Sequence, residues 1–519
     1  MTAPPRESAV AERERVVPLD SPGPLVPVAE FGPTDTIRGW VATGVITVLA
    51  TVTRFLNLGS PTDAGTPVFD EKHYAPQAWQ ALHNHGVEDN PGFGLVVHPP
   101  VGKQLIAIGE AIFGYNGVGW RFTGALLGVV MVVLVMRTVR RISRSTLVGA
   151  IAGVLVICDG VSFVTARTAL LDGLLTFFVV AAFGALIVDR DQVRLRLHVA
   201  LAEGRSAQTV WGPRLGVRWW RFLAGVMLGL ACGTKWSGLY FVVFFGVMSL
   251  GFDVAARRQY QVNRPWLGVL RRDVLPTGYA LALIPFAVYL ASYAPWFASE
   301  TAIDRHEVGQ SIGPHSVVPL MPDAIRSLWH YTAKAFQFHA GLTNSAGNYH
   351  PWESKPWSWP MSLRPVLYAI DQQNVPGCGA QSCVKAEMLV GTPAMWWLAV
   401  PVLLYALWRM LVRRDWRYAA VVIGYCAGWL PWFADIDRQM YFFYASTMAP
   451  FLAMGIALIC GDILYARGQN SERRTLGLIA VCCYVALVVT NFAWLFPVLT
   501  GLPISQQTWN MEIWLPSWR

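Results

Sequence analysis

Long apolar runs separated by short arginine-rich connections recur along most of this 519-residue chain, and few folds can accommodate such a pattern. A helix crossing a bilayer needs about 20 mostly apolar residues, because the hydrocarbon core is about 30 Å thick and each residue rises about 1.5 Å. Eleven stretches meet or nearly meet this length, at approximately 39–57, 118–136, 147–164, 168–188, 222–235, 237–253, 275–296, 394–412, 418–433, 440–461 and 475–498. The fifth and sixth are nearly continuous and are separated mainly by Gly233, Lys235 and Gly238. Charged residues are 14% of the chain, about half the soluble norm. An ordinary soluble enzyme, a disordered chain and a small disulfide scaffold are therefore excluded, and an all-α polytopic membrane protein is expected.

The arginines set the orientation. They crowd the connections after spans two, four, six, eight and ten, for example Arg137, Arg140, Arg141 and Arg144 after the second and Arg409, Arg413, Arg414 and Arg417 after the eighth. The segment 58–117 holds no arginine. Lys and Arg accumulate on the cytoplasmic side, so the pattern predicts a cytoplasmic N-terminus, an outer C-terminus and outer loops at 58–117 and 297–393, in a multi-pass protein of the cell membrane. The net charge of +9 follows from this bias and predicts no nucleic-acid partner. Residues 1–37 read as a disordered cytoplasmic tail and 38–519 as the membrane domain, with 394–519 forming a C-terminal four-helix part. Leu105, Ile108 and Ile112 share one helical face, which predicts amphipathic helices lying on the bilayer in the first outer loop.

Ionisable groups at membrane depth are costly, so each is a functional candidate. Arg54, Arg121, Asp159, Arg167, Asp172, Lys235, Asp435, Asp437 and Arg438 stand at or near span ends, and most are expected at the outer face. Such a convergence of cations suits an anionic ligand in the outer leaflet. In Phe69-Asp70-Glu71-Lys72-His73-Tyr74 the two adjacent carboxylates cannot point the same way; one is expected to do chemistry while the other organises. In His98-Pro99-Pro100-Val101-Gly102-Lys103 the prolines fix the entry to a helix, with His98 at its mouth and Lys103 a turn inside. The segment from His350 to Pro360 holds Glu353, Lys355 and three tryptophans including Trp357; indole rings suit both a membrane interface and the apolar faces of sugars. Cys378 and Cys383, spaced Cys-x4-Cys in the outer loop, read as a disulfide rather than a metal site. No metal-ligand cluster and no cofactor motif is present.

In order and spacing, FDEKHY, HPPVGK, WRF at the start of span two, ARTALLDGLLTF, GTKWSGLY, SKPWSW, DRQMYFFY and the terminal WLPSW resemble the protein O-mannosyltransferases, particularly the actinobacterial form. The resemblance runs from about residue 39 to the C-terminus. It implies a GT-C glycosyltransferase fold, with 58–117 as the catalytic outer loop. It also implies transfer of mannose, with inversion, from a polyprenyl-phosphate-mannose donor to Ser or Thr of exported proteins at the outer face. By the family's motifs, Asp70 and Glu71 are the catalytic pair with Asp70 as base, and Arg54, Arg121, Lys235 and Arg438 are the cations at the donor phosphate. His98, Lys103, Arg167, Asp172, Glu353, Lys355 and Trp357 are expected to organise the loops or face the acceptor. Membrane lipids and a secretion channel are the remaining expected partners. The chain lacks the large insertion that eukaryotic members carry in the loop matching 297–393. The same chemistry would also serve a GT-C transferase with a glycolipid or cell-wall glycan acceptor, whereas a transporter would place its charges near the midplane of related halves.

Overall fold

The computed structural model describes residues 35–88, 95–205, 209–313, 321–373, 375–465 and 471–519. Residues 1–34 of the expected tail lie outside these. The first helix, α1, spans Thr36–Phe55 and takes in the last two residues of the expected tail. Two short helices of the first loop follow, α2 (Glu71–His83) and α3 (Val101–Phe113). On α3, Ile106 is buried while Ile108 and Ile112 are exposed, so one apolar edge faces away from the protein where a bilayer surface would cover it.

The bundle then forms from α4 (Gly117–Ser143), α5 (Thr146–Ile157), α6 (Gly160–Arg167), α7 (Leu171–Ala202), α8 (Trp219–Thr234) and α9 (Gly238–Gln259). Polar caps mark several of these starts, as unpaired helix-terminal N–H groups require. The Asn116 side chain accepts from the Val118 and Gly119 amides, and Ser145 accepts from Val148. Asp159 accepts from Ser162 at 2.8 Å and also from the Trp396 indole at 2.6 Å. That cap breaks the third apolar stretch into α5 and α6, bent by 61°. Asp159, the ionisable candidate late in this span, is therefore a helix cap.

Among the described residues, seven helices are long and apolar enough to cross a membrane, and eight if the bent pair counts as one span; eleven is not reached on length. The stretches that fall short form α8 and the helices Trp416–Trp429 and Ala449–Leu464, of 16, 14 and 16 residues. In the latter two the apolar sequence extends into tight 3-10 turns at Leu430–Ala434 and Phe442–Thr447, whereas α8 ends at the extended Lys235.

One element has no counterpart in the sequence reading. A three-stranded antiparallel sheet joins β1 (Val366–Asp371), β2 (Cys383–Leu389) and β3 (Pro503–Ser505) in that order. β2 is buried along most of its length, and a disulfide between Cys378 and Cys383 staples the connection from β1 into β2. The sheet thus ties the second loop to the C-terminal segment.

Candidate active site

Asp70 and Glu71 part at the start of α2. Phe69, immediately before them, has φ +49°, a left-handed conformation that costs a bulky side chain energy. Its ring is held by stacking on Tyr368 of β1 at 4.5 Å and edge-on to Phe443 at 6.0 Å. Glu71 is fully buried and saturated. It receives Arg121 Nε and Nη2 at 2.7 Å each, the Ala169 amide at 2.8 Å and the Val68 amide at 3.3 Å. The Asp70 carboxylate, by contrast, has no hydrogen bond or ion pair among the described residues. Burial pushes its pKa up from the ordinary carboxylate value, against the pull of His73 and Lys235.

Facing Asp70 is a buried ion pair in which Lys235 Nζ donates to both oxygens of Asp172 at 2.9 Å. The same ammonium lies 4.6 Å from the centre of the Tyr444 ring and 5.3 Å from that of Phe443. Lys235 occupies the extended link between α8 and α9, and one of its three N–H donors is left over. His98 packs against Tyr74 at 5.9 Å and His339 at 5.1 Å. Arg438 Nη2 is 3.2 Å from His339 Nδ1. Both imidazoles are held below the ordinary histidine pKa by burial first and then by nearby cations, His98 strongly and His339 to about 4. Two buried polar atoms here, Arg438 Nε and Tyr368 Oη, lack hydrogen-bond partners among the described residues.

Several candidate residues hold this centre in place from behind. Arg121 is fully buried and, besides Glu71, donates to the Leu58 and Pro61 carbonyls, so its guanidinium is engaged by the protein rather than presented to a ligand. Arg54 donates to the Val156 and Ile157 carbonyls at 2.9 and 3.1 Å, closing the C-terminus of α5. Arg167 returns the favour to α1, donating to the carbonyls of Arg54, Leu56 and Asn57 at 2.7–3.1 Å. A cation at a helix C-terminus satisfies orphan carbonyls and opposes the negative end of the dipole. The structure therefore does not present the guanidiniums of Arg54 or Arg121 beside Lys235 and Arg438.

Lys103 is buried, paired with Glu88 at 2.5 Å and bonded to the His98 carbonyl at 2.8 Å, so it anchors the loop that carries His98. Asn344 links the second loop: it donates to both oxygens of Glu353 and accepts from Lys355, which also donates to the Arg438 carbonyl at 2.8 Å. Trp357 lies outside this network and is 59% exposed. Sequence reasoning missed His339, Asn344 and Glu387. Glu387 sits on β2 beside the charges of Arg121 and Arg167, and burial raises its pKa to about 7. None of the three stands in a recognisable spacing. Among the described residues no group of three or more His, Cys, Asp and Glu could hold a metal ion.

The arrangement offers an unpaired carboxylate beside two cations and an aromatic wall. Residues 44–299 match the family model described as dolichyl-phosphate-mannose-protein mannosyltransferase, and residues 324–518 match the C-terminal four TMM region of protein-O-mannosyltransferase. The chain belongs to the protein O-mannosyltransferase family. Among its relatives in the family is the polyprenol-phosphate-mannose--protein mannosyltransferase of Mycobacterium tuberculosis, 84% identical over the whole of both chains. The enzyme of the same name from Corynebacterium glutamicum is 45% identical over 92% of each. In fold, this protein O-mannosyltransferase is similar to a chain of the S. cerevisiae protein O-mannosyltransferase Pmt1-Pmt2 complex bound to the sugar donor, with a TM-score of 0.72 at 15% identity over 95% and 94% of the two chains. An all-α membrane protein of GT-C type is thereby established.

Proposed function

We propose that this chain transfers mannose from polyprenyl-phosphate-mannose to Ser and Thr hydroxyls of exported proteins, as the names of its full-length relatives imply. One observation carries the catalytic reading: of two adjacent carboxylates, Glu71 is consumed by four hydrogen bonds while the Asp70 carboxylate has no partner among the described residues.

In the proposed step the acceptor hydroxyl oxygen attacks C1 of mannose from the face opposite the phosphate. Its proton passes to Asp70, the C1–O bond to phosphate breaks, and the electron pair leaves on the polyprenyl phosphate, inverting the anomeric centre. A nucleophilic hydroxyl needs a placed base, and a buried carboxylate with a raised pKa is a stronger one. The phosphate leaving group needs neutralisation more than a proton. Lys235 supplies its spare N–H and Arg438 its unpartnered Nε, and Asp172 keeps Lys235 aimed. His98 and His339, both neutral, shape the pocket without adding charge. Glu71, Arg121, Arg54 and Arg167 position the base and the helix ends around it, and Glu353 and Lys355 brace the second loop.

We place the site, the loops 58–117 and 297–393 and the C-terminus outside the cell membrane, with the N-terminus in the cytoplasm. This rests on the alternating arginine-rich connections, as does a count of eleven crossings in which the three shorter helices also traverse. The four-helix part 394–519 and a tail within 1–37 belong to the same proposal. Transfer of labelled mannose from polyprenyl-phosphate-mannose to a Ser/Thr-rich peptide by the protein in liposomes tests the reaction. Label appearing on added glycolipid and never on peptide would overturn the choice of acceptor.

A further inference from the structure

A polar cavity lies far from Asp70. About 240 Å³ in volume, it is walled by the end of α4, the middle of α7 and the start of the helix Trp416–Trp429. Along α7, Arg190 is 18 residues beyond Asp172, a rise of about 27 Å, close to the roughly 30 Å of a hydrocarbon core. The cavity therefore sits at headgroup depth on the membrane face opposite the candidate active site.

Its wall is built, not merely basic. Arg190 is only 8% exposed, and its guanidinium lies 3.3 Å from the centre of the Trp416 ring, a stacked geometry that fixes the plane of its donors. A single carboxylate, Asp191, is shared by Arg190 at 3.0 Å and Arg141 at 2.7 Å. Arg194, Arg144 and Arg417 complete the rim; Arg417 is neutralised by Asp415 at 2.7 Å, whereas Arg144 makes no ion pair among the described residues. Five guanidiniums around the cavity thus meet one lining carboxylate. Cytoplasmic-side arginines are common for topological reasons, but those are ordinarily solvated, and topology does not require a concave site with a buried, ring-stacked Arg.

We propose that this cavity binds a phosphate group, carried by the headgroup of an anionic membrane lipid. Planar guanidiniums in a fixed array pair with phosphate oxygens through charge-assisted, often bidentate hydrogen bonds. A basic pocket between helices at this depth is a setting in which lipid phosphates are recognised. The volume of about 240 Å³ admits a phosphate headgroup.

The test uses full-length protein in detergent and native mass spectrometry with phosphatidylglycerol, phosphatidylcholine or inorganic phosphate. Phosphatidylglycerol should remain bound and phosphatidylcholine should not. The Arg144→Gln/Arg194→Gln variant should weaken retention about tenfold or more, the scale of a lost charged hydrogen bond, while Arg264→Gln/Arg271→Gln, outside the cavity, should not. Arg144→Gln alone, at an exposed residue, gives a folded variant with a smaller loss in the same direction. Displacement of the lipid by millimolar phosphate would show that a soluble phosphate shares the site; resistance would assign it to lipid. Equal retention by the cavity variants, or equal loss in both double variants, would overturn the proposal.

Discussion

Neighbouring carboxylates with opposite surroundings should fail in opposite ways. Asp70→Asn removes a charge that the described residues do not pair and that burial penalises, so the variant should be as stable as the parent or more so. Its effect on turnover should be large: loss of a general base costs about 10²- to 10⁴-fold, or roughly 3 to 5 kcal/mol of barrier. Glu71→Gln is nearly isosteric yet turns an acceptor-only group into one that presents N–H toward Arg121. It breaks a bidentate pair of 2.7 Å bonds at a fully buried guanidinium. Removing one partner of a buried pair costs about 3 to 5 kcal/mol, so the thermal midpoint of this variant should fall clearly below that of the parent. The assay pairs thermal unfolding of each purified variant with mannose transfer from labelled polyprenyl-phosphate-mannose to peptide in liposomes. Full activity in Asp70→Asn would refute the assignment of the base. A destabilised Asp70→Asn beside a stable Glu71→Gln would refute the division of labour itself.

The pH dependence of kcat/KM follows from the same site. Asp70 must be ionised to act and its pKa is raised, so activity should fall on acidification with an inflection above the ordinary value of about 3.9, while His98 and His339, already neutral, should add no step between about pH 6 and 8; an inflection there that Asp70→Glu leaves unmoved would contradict this. Because His339 titrates near 4 when folded and near 6.5 when unfolded, the unfolded chain binds more protons between those values, and thermal stability should decline as pH falls through that window. Lys235→Met should raise the KM for the donor about tenfold or more, and adding Asp172→Asn should restore stability but not donor affinity, as read by melting and initial rates. Arg54→Met should lower stability by about 1 to 3 kcal/mol through its orphaned carbonyls with an unchanged donor KM; a raised KM would return Arg54 to the phosphate site.

Much of the layout could be read from residue order because bilayer crossing and charge bias act on local sequence. The apolar runs located the helices, and the lone lysine between two of them proved to be the extended link that carries Lys235. Where a residue's partner is distant, local pattern failed. Arg54 and Arg121 look alike as cations at span ends, yet one closes α5 through Val156 and Ile157 and the other is saturated by Glu71. Nothing within ten residues of either predicts this. His339 reaches His98 across the fold, and the β-strands pair Leu389 with Val366 and Ile504 with Val384, contacts of long sequence separation that periodicity cannot register.

The small sheet explains how the proposed base can stand free without drifting. An unpaired carboxylate gains no orientation from hydrogen bonds, so its backbone must supply it. Phe69 does this at a cost, since its left-handed φ is disfavoured. The ring stacks on Tyr368 of β1, β1 is held by β2, and β2 by the C-terminal strand. On the other side Glu71 locks the next residue to Arg121 and the Ala169 amide. Asp70 is thus fixed between two anchored neighbours while its own oxygens remain available. In that arrangement the strain at Phe69 serves position: replacing it with glycine would relieve φ but release the ring, and the base would gain freedom that the attacking hydroxyl cannot use.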